Sequence, residues 1–364
     1  MKTRCWVEIS LGRIAGNYRA VRAAALPAAI LGVVKANAYG HGAVEVSRTL
    51  CDQGAEWLAV SSVAEGAALR DAGIASRILV MAGVMRGEHV AIAEFRLTPV
   101  VHSLDELPLF RGPIHLKLET GLNRLGTLAA AEEIAQALRR APYIHLEGLL
   151  SHLASAADFT SHQTEDQIQV FEEKLRALEV HGVRAEYVHL AGTNAVAYPR
   201  PGTTRTLARP GHAIYGYVSP ARGHVRAPKF QVAPALQWKT RIVAIKDVPA
   251  GSRIGYGGSH VTAAPARIAV LAAGYADGVS HRLSNKGKVI AGGQFAPIVG
   301  TVSMDLTTID ITGCPKLAPG DVVTLLGREG DVVLDAQQIA RTAGTISYNV
   351  LCGISARVER VYLD

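Results

Sequence analysis

A lysine that stands where an apolar run gives way to glycine can do chemistry that a surface lysine cannot. Lys35 follows the apolar residues 28–34 and precedes Ala-Asn-Ala-Tyr-Gly-His-Gly. If that run is a buried strand, a period of two puts Leu31, Val33, Lys35 and Asn37 on one face and Gly32, Val34 and Ala36 on the other. An ammonium is costly to keep dry, so its pKa falls there and the amine becomes a nucleophile or Schiff-base former. The competing reading is a structural ion pair. A second row, His115, Lys117 and Glu119, alternates along another apolar run and leads to Arg124. Such a row needs internal compensation, and a Lys117–Glu119 or Arg124–Glu119 charge pair of purely structural value is its plainer reading. His152 and His189 stand at the ends of two further runs. A lone His is usually a satisfied core residue, whereas two at adjacent strand ends carry more weight. No carboxylate or second His stands at a ligand-like spacing, so no metal site is expected.

The elements that must position these residues repeat along the chain. Apolar runs span 28–36, 56–62, 77–83, 97–103, 114–120, 145–154, 185–192 and 206–216. Between most of them lie stretches such as 62–73, 128–140 and 162–182, with apolar residues at helical spacing. Eightfold strand-helix alternation implies parallel strands joined by crossovers, hence an α/β fold with an N-terminal (β/α)8 barrel over 1–230. In such a barrel the polar residues at the C-terminal ends of strands carry the function. A helix before the first strand, with Ser10 as N-cap and Leu11, Ile14, Tyr18 and Val21 on one face, is expected to cover the barrel's side or bottom. Beyond the Pro-rich segment 219–228 the pattern becomes short β-branched runs punctuated by Gly and Pro. Residues 231–364 are therefore expected to form a mainly-β domain with one helix, around 335–344, and the first few residues of the chain could associate with it.

Composition narrows the function classes. The 364 residues are 49% hydrophobic and 19% charged, enough for two cores and incompatible with disorder. No stretch approaches the ~18 apolar residues of a membrane helix, and Glu8, Arg13 and Asn17 interrupt any signal-peptide core. Cys5, Cys51, Cys314 and Cys352 form no C-x-x-C pair, which fits a reducing cytoplasm. The net charge of +7 raises nucleic acid as a partner, but the cations are dispersed. The densest group, Arg222, Arg226 and Lys229, reads as a solvated loop.

The turns after the seventh and eighth runs read Ala191-Gly192-Thr193-Asn194 and Arg209-Pro210-Gly211-His212. Barrels often hold a phosphate here with backbone N–H groups and a hydroxyl. Gly-rich turns alone are weak evidence; a rim lysine facing a phosphate site is more specific, and together they describe pyridoxal 5'-phosphate (PLP).

Residues 33–42, VVKANAYGHG, closely resemble the PLP-lysine motif of the alanine racemases. The resemblance continues in WVEISL, SSVAEGAALRDAG, KLETGLNRLG, SHLA, LARPGHAIYGY, IGYGG, AAGYADG, IVGTVSMD and TISYN, in the family's order over essentially the whole chain. It implies a PLP-binding barrel followed by a β domain, alanine as substrate, and a homodimer whose sites borrow residues from the partner's β domain. Lys35 then resembles the lysine that carries the cofactor, and Tyr39 the tyrosine at its phosphate. Thr193, the backbone of Gly211 and His212, and Tyr348 complete the phosphate cup. His152 resembles the histidine packed on the cofactor ring, and Arg209 the arginine facing the pyridine nitrogen, with His189 supporting it. Arg124 resembles the arginine near the substrate carboxylate, and Lys117 occupies the position often carbamylated to brace it. Tyr256 resembles the catalytic tyrosine from the opposite subunit, Met304 a backbone contact to substrate and Tyr275 an entrance-gate tyrosine. Gly192-Thr193-Asn194 where Asn-Ser is usual, His212 for an aliphatic residue, Ser303 for a frequent Cys and Glu119 for Asp depart from the pattern, but the acid-base pair is intact.

Two bases are needed for racemisation: Lys35 for one face of the substrate and the partner's Tyr256 for the other. A phenol of pKa ~10 needs nearby positive charge to act as a base, and His152 and Arg209 are the candidates. The rivals are a racemase of the same fold acting on serine, lysine or a broader set, a decarboxylase of the same barrel type, and a non-catalytic PLP-binding protein.

Overall fold

A computed structural model of the chain describes residues 3–224 and 227–364. It divides into two compact units, one made of 13–38 and 43–233, the other of the described residues up to Gly12, 39–42 and 234–364.

In the first unit every one of the eight apolar runs contains a strand. After β1 (Cys5–Ser10), which belongs to the other unit, come β2 (Ala29–Val33), β3 (Trp57–Val60), β4 (Arg77–Val80), β5 (Thr98–Val101), β6 (Gly112–Lys117), β7 (Ile144–Leu150), β8 (Tyr187–His189) and β9 (Leu207–Ala208). They pair in parallel in the order β8-β7-β6-β5-β4-β3-β2-β9. A parallel bridge between Gly192 and Arg209 brings the two ends together, with the Arg209 N–H donating to the Ala191 carbonyl at 2.8 Å. The barrel is thus nearly closed, as expected. β3 and β5 are buried along their whole length because they meet side chains inside the barrel and helices outside it. Fully buried Leu31, Leu58 and Leu79 each contribute about 1.5–3 kcal/mol by leaving water. The helix Leu11–Ala25 buries Ile14, Tyr18 and Val21. Its Asn17 side chain donates to the carbonyls of Ile214 at 3.0 Å and Ala233 at 2.9 Å, which docks the helix on the barrel's flank, beside the segment that follows β9.

The second unit is built on β1, β10 (Leu236–Val248), β11 (Arg253–Ile254), β12 (His260–Val261), β13 (Ala266–Leu271), β14 (Lys288–Ala291), β15 (Gln294–Pro297), β16 (Thr307–Asp310), β17 (Val322–Glu329), β18 (Val332–Leu334) and β19 (Glu359–Leu363). Its main sheet runs β15-β14-β17-β10-β1-β19, so the first strand of the chain is an interior strand here. Among the described residues two helices interrupt it rather than one. Ala336–Ala343 is the expected helix, its Asp335 cap accepting from the Gln338 N–H at 2.8 Å. Ser347–Cys352 is the addition, and it carries Tyr348.

Arg222 is exposed and 3.7 Å from Asp158, and Lys229 is exposed, as a loop cluster should be; Arg226 lies outside the described residues. Among the described residues no helix is long and apolar enough to cross a membrane, and no group of three His, Cys, Asp or Glu side chains could hold a metal ion.

Candidate active site

Lys35 is not on a strand. β2 ends at Val33, and although the Val34 N–H still reaches the Ala59 carbonyl of β3 at 2.8 Å, Ala36, Asn37, Ala38 and Tyr39 then take φ of 51–53°. The expected alternation of Lys35 and Asn37 with Leu31 therefore fails, because a left-handed turn replaces the last strand residues. Left-handed backbone costs a non-glycine residue roughly 1–2 kcal/mol, so four in succession must be held in place. Glu65 does much of the holding. Its Oε1 accepts from the Ala36 N–H at 2.7 Å and its Oε2 from the Ser61 N–H at 2.6 Å. Asn37 Oδ1 accepts from the Ala43 N–H at 2.8 Å and closes the far side of the turn.

Around Lys35 the barrel mouth gathers cations and neutral imidazoles. Lys117 ends β6, His189 ends β8, His152 follows β7, Arg209 follows β9, and Arg124 lies on the loop after β6. Arg209 is buried, and both its Nη atoms are engaged. Nη1 donates to His189 Nδ1 at 2.9 Å and the His189 carbonyl at 2.8 Å, Nη2 to the Ser151 carbonyl at 2.6 Å and His152 Nδ1 at 3.3 Å. Burial pulls its pKa down to about 10, which leaves it charged at neutral pH. Burial, then Arg209 and Arg124, brings Lys117 down to about 8.

Glu119 forms no direct ion pair with Lys117 or Arg124 among the described residues, although its charge still favours the Lys117 ammonium. Its Oε1 accepts from the N–H groups of Thr120 at 2.8 Å, Gly121 at 2.6 Å and Leu122 at 2.7 Å, anchoring the loop that carries Arg124. Burial pushes this carboxyl up, but the backbone N–H groups outweigh it and hold the pKa below the usual value. His152 also corrects an expectation. Burial, then Arg209 and Lys117, drives its pKa to about 3, so it is neutral at pH 7 and supplies no positive charge to a phenolate.

At the turn after β8, Thr193 Oγ1 accepts from the N–H groups of Gly211 at 3.1 Å and Ala213 at 3.3 Å, drawing the two expected phosphate-binding turns together. The buried His212 ring stacks on Tyr217 with centroids 5.2 Å apart, so this departure from an aliphatic residue is absorbed by packing.

The remaining residues lie in the second unit. Tyr39 is buried with its ring 5.9 Å from that of Tyr348, and burial, then Tyr348, raises its pKa. Tyr256 follows β11 on a turn begun by Gly255, whose φ of 73° suits glycine and where a Cβ would come within 3.0 Å of the Thr301 nitrogen. The Tyr256 carbonyl accepts from Thr301 Oγ1 at 3.2 Å. The adjoining loop places Tyr275 and Met304 together, Tyr275 N–H donating to Ser303 O and Ala276 N–H to Met304 O, both at 2.9 Å. Tyr256, Met304 and Tyr275 are 77%, 55% and 45% exposed.

Sequence reasoning missed Glu65, Glu147 and Arg77. Glu65 gave one signal, an acidic residue in the first turn of the helix Val63–Asp71. Glu147 and Arg77 gave none, since a pair 70 residues apart has no local spacing.

The neutral imidazoles make stability depend on pH. Burial lowers His102 to about 4 and His152 to about 3, and lowers His115 and His189 as well. Neither ring nitrogen of His102 has a hydrogen-bond partner among the described residues. Near pH 6.5 the unfolded chain protonates these rings and the folded chain does not, so the unfolded state binds more protons below that pH. Their contribution is complete above pH 6.5 and is lost as pH falls toward 4. Calorimetric Tm is expected to drop from pH 7 to pH 5, and His102→Leu is expected to flatten that drop. A variant as acid-sensitive as the parent would show that His102 takes up its proton in the folded state.

Comparison with known proteins agrees with this geometry. Residues 9–220 match the model of the alanine racemase N-terminal domain and residues 235–362 that of the C-terminal domain. The chain is 39% identical over 360 residues to the alanine racemase of Syntrophobacter fumaroxidans, covering 96% of this chain and 95% of that one. It is 35% identical to that of Methanococcus maripaludis, covering 98% of each. The crystal structure of alanine racemase from Streptomyces lavendulae superposes with a TM-score of 0.91 at 32% identity, over 100% of this chain and 98% of that one. The enzyme from Bartonella henselae, which has pyridoxal phosphate bound covalently, superposes with a TM-score of 0.88 at 25% identity over the whole of both chains. The nearly closed parallel barrel, the sheet-rich second unit and these full-length matches agree, and the chain belongs to the alanine racemase family of enzymes, which interconvert L- and D-alanine.

Proposed function

We propose that the chain racemises alanine with PLP held covalently by Lys35, and that Lys35 and the Tyr256 of a second copy are the two bases. The observation that carries the cofactor reading is the hydrogen bonding of Arg209. Its Nη donors are taken up by His189, Ser151 and His152, which leaves Nε–H as the one donor with no acceptor among the described residues. A charged, rigidly held N–H beside neutral His152 suits an aromatic ring nitrogen. The cations Lys35, Lys117 and Arg124 suit the phosphate, phenolate and carboxylate that cofactor and substrate bring. The residues therefore fit the group.

When bound, PLP lowers the cost of breaking the Cα–H bond by drawing the developing charge into its ring. The protein does the rest. Lys35 Nζ takes or returns the α-proton on one face and the partner's Tyr256 Oη does so on the other. With His152 neutral, Arg209 is the remaining cation of the two expected to favour the phenolate. Arg209 would hold the ring nitrogen with a hydrogen bond without readily giving up a proton, a setting that would disfavour side reactions such as transamination. Thr193 and the backbone of Gly211 and His212 are the barrel's contribution to phosphate binding. Arg124 orients the substrate carboxylate, and Met304 supplies a backbone contact. Lys117, with its pKa near 8, has the neutral amine fraction that carbamylation requires.

Borohydride reduction of protein reconstituted with PLP, followed by peptide mass analysis, is expected to place the adduct on Lys35. An adduct on another lysine, or none, would sink the assignment.

A further inference from the structure

A chain of polar side chains crosses the interior of the barrel and ends on Arg209. Arg77, at the start of β4, pairs with Glu147 of β7 through Nη2 and Oε1. Glu147 Oε2 faces His115 Nε2 on β6 across 3.4 Å, an electrostatic contact that does not meet hydrogen-bond geometry, and neither atom has a hydrogen-bond partner among the described residues. His115 Nδ1 lies 2.8 Å from His189 Nε2 on β8, and His189 Nδ1 lies 2.9 Å from Arg209 Nη1. Beyond Arg77, whose side chain is 40% exposed, the chain is enclosed. His115 and His189 are fully buried and Glu147 nearly so. Trp57 and Tyr187 wall it in, with ring centroids 5.2 Å and 6.1 Å from that of His115, and the Arg77 guanidinium lies 4.1 Å over Trp57. Gly148 makes the room, since a Cβ there would sit 2.4 Å from His115 Nδ1. Neither the proposed proton transfers nor the cofactor contacts account for Glu147 and Arg77.

The two ends fix where each proton between them sits. Arg209 can only donate, so His189 Nδ1 accepts and its proton sits on Nε2. His189 Nε2–H then donates to His115 Nδ1, which puts the His115 proton on Nε2, facing Glu147. Glu147 is held ionised, burial being outweighed by His115 and Arg77, so it can only accept. The lowered pKa values of both imidazoles agree, because each is neutral and has one proton to place.

We infer that Glu147, held by Arg77 and acting through His115 and His189, is a positioning residue that sets the hydrogen-bond polarity at Arg209. Its effect on cofactor electronics rests on the proposed placement of Arg209 at the ring nitrogen; the polarity itself does not. Glu147→Gln is the informative change. Arg77 requires an oxygen, so in this variant the carboxamide turns its carbonyl to Arg77 and its NH2 to His115. His115 must then present a bare Nε2 and move its proton to Nδ1; His189 follows, and its Nδ1–H meets the Arg209 N–H head on. The shape is unchanged and the polarity is reversed.

Nitrogen-15 NMR of histidine-labelled protein reads this directly. In the parent, His115 and His189 are expected to be neutral with the proton on Nε2, a measurement that needs no variant. In Glu147→Gln the His115 proton is expected on Nδ1. In the double variant Arg77→Met/Glu147→Gln the native pattern is expected to return, because the carboxamide oxygen, released from Arg77, is free to face His115. With PLP bound, Glu147→Gln is expected to lower kcat about 10- to 100-fold with KM within about threefold. A proton on Nδ1 of either ring in the parent, an unchanged pattern in Glu147→Gln, or no recovery in the double variant would overturn the inference. A reversed pattern with an unchanged cofactor absorption spectrum would support the chain and instead overturn the placement of Arg209.

Discussion

Tyr256→Phe is expected to nearly abolish exchange of the L-alanine α-proton with solvent while leaving deuterium washout from D-alanine largely intact. If the partner's Tyr256 serves the L-face and Lys35 the D-face, only the first reaction needs the phenol. Loss of a positioned acid-base group costs ~10²- to 10⁴-fold, equivalent to about 3–5 kcal/mol in the barrier. The change is clean because the Tyr256 side chain is 77% exposed, so removing its hydroxyl is not expected to unsettle the fold. The variant should keep its Tm and cofactor spectrum. Equal loss of exchange from both enantiomers would show that Tyr256 is not a face-specific base.

Mixing Lys35→Ala protein with Tyr256→Phe protein, each inactive alone, is expected to restore activity. With Lys35 and Tyr256 contributed by different chains, every mixed dimer has one site with both native residues and one with neither. Free exchange of equal amounts makes about half the dimers mixed, so recovery should approach about a quarter of parental activity. The exposed group of Tyr256, Tyr275 and Met304 on two adjoining loops is the surface this arrangement would bury. Verified subunit exchange without recovery would place both bases in one chain.

The barrel was legible because mostly buried parallel strands read as short apolar-rich runs alternating with helical stretches, and each of the eight runs held one barrel strand. The turn that presents Lys35 was not legible. Left-handed backbone is ordinarily signalled by glycine, and Ala36, Ala38 and Tyr39 give no such sign. What holds the turn is Glu65, whose partner Ala36 is 29 residues away, and a contact at that distance leaves no period in the sequence. The helix Ser347–Cys352 was missed for a local reason, since six residues are too few to show a helical period. The candidate residues themselves were legible as types at strand ends, but their electrostatics were not. Whether His152 is a cation depends on its burial and then on how Arg209 and Lys117 surround it, which only the folded barrel decides.

The anchoring of Glu119 on its own loop has a consequence beyond that loop. With this carboxylate hydrogen-bonded to the amides of Thr120, Gly121 and Leu122, its charge raises the Lys117 pKa by less than burial, Arg209, Arg124 and Lys35 together lower it. An anion that settles among these cations relieves their mutual repulsion in the folded state and does nothing comparable for the unfolded chain. Ligand affinity and barrel stability thus become linked equilibria that draw on the same Coulomb energy. On the proposed function, that counter-ion would be one the cofactor or substrate brings.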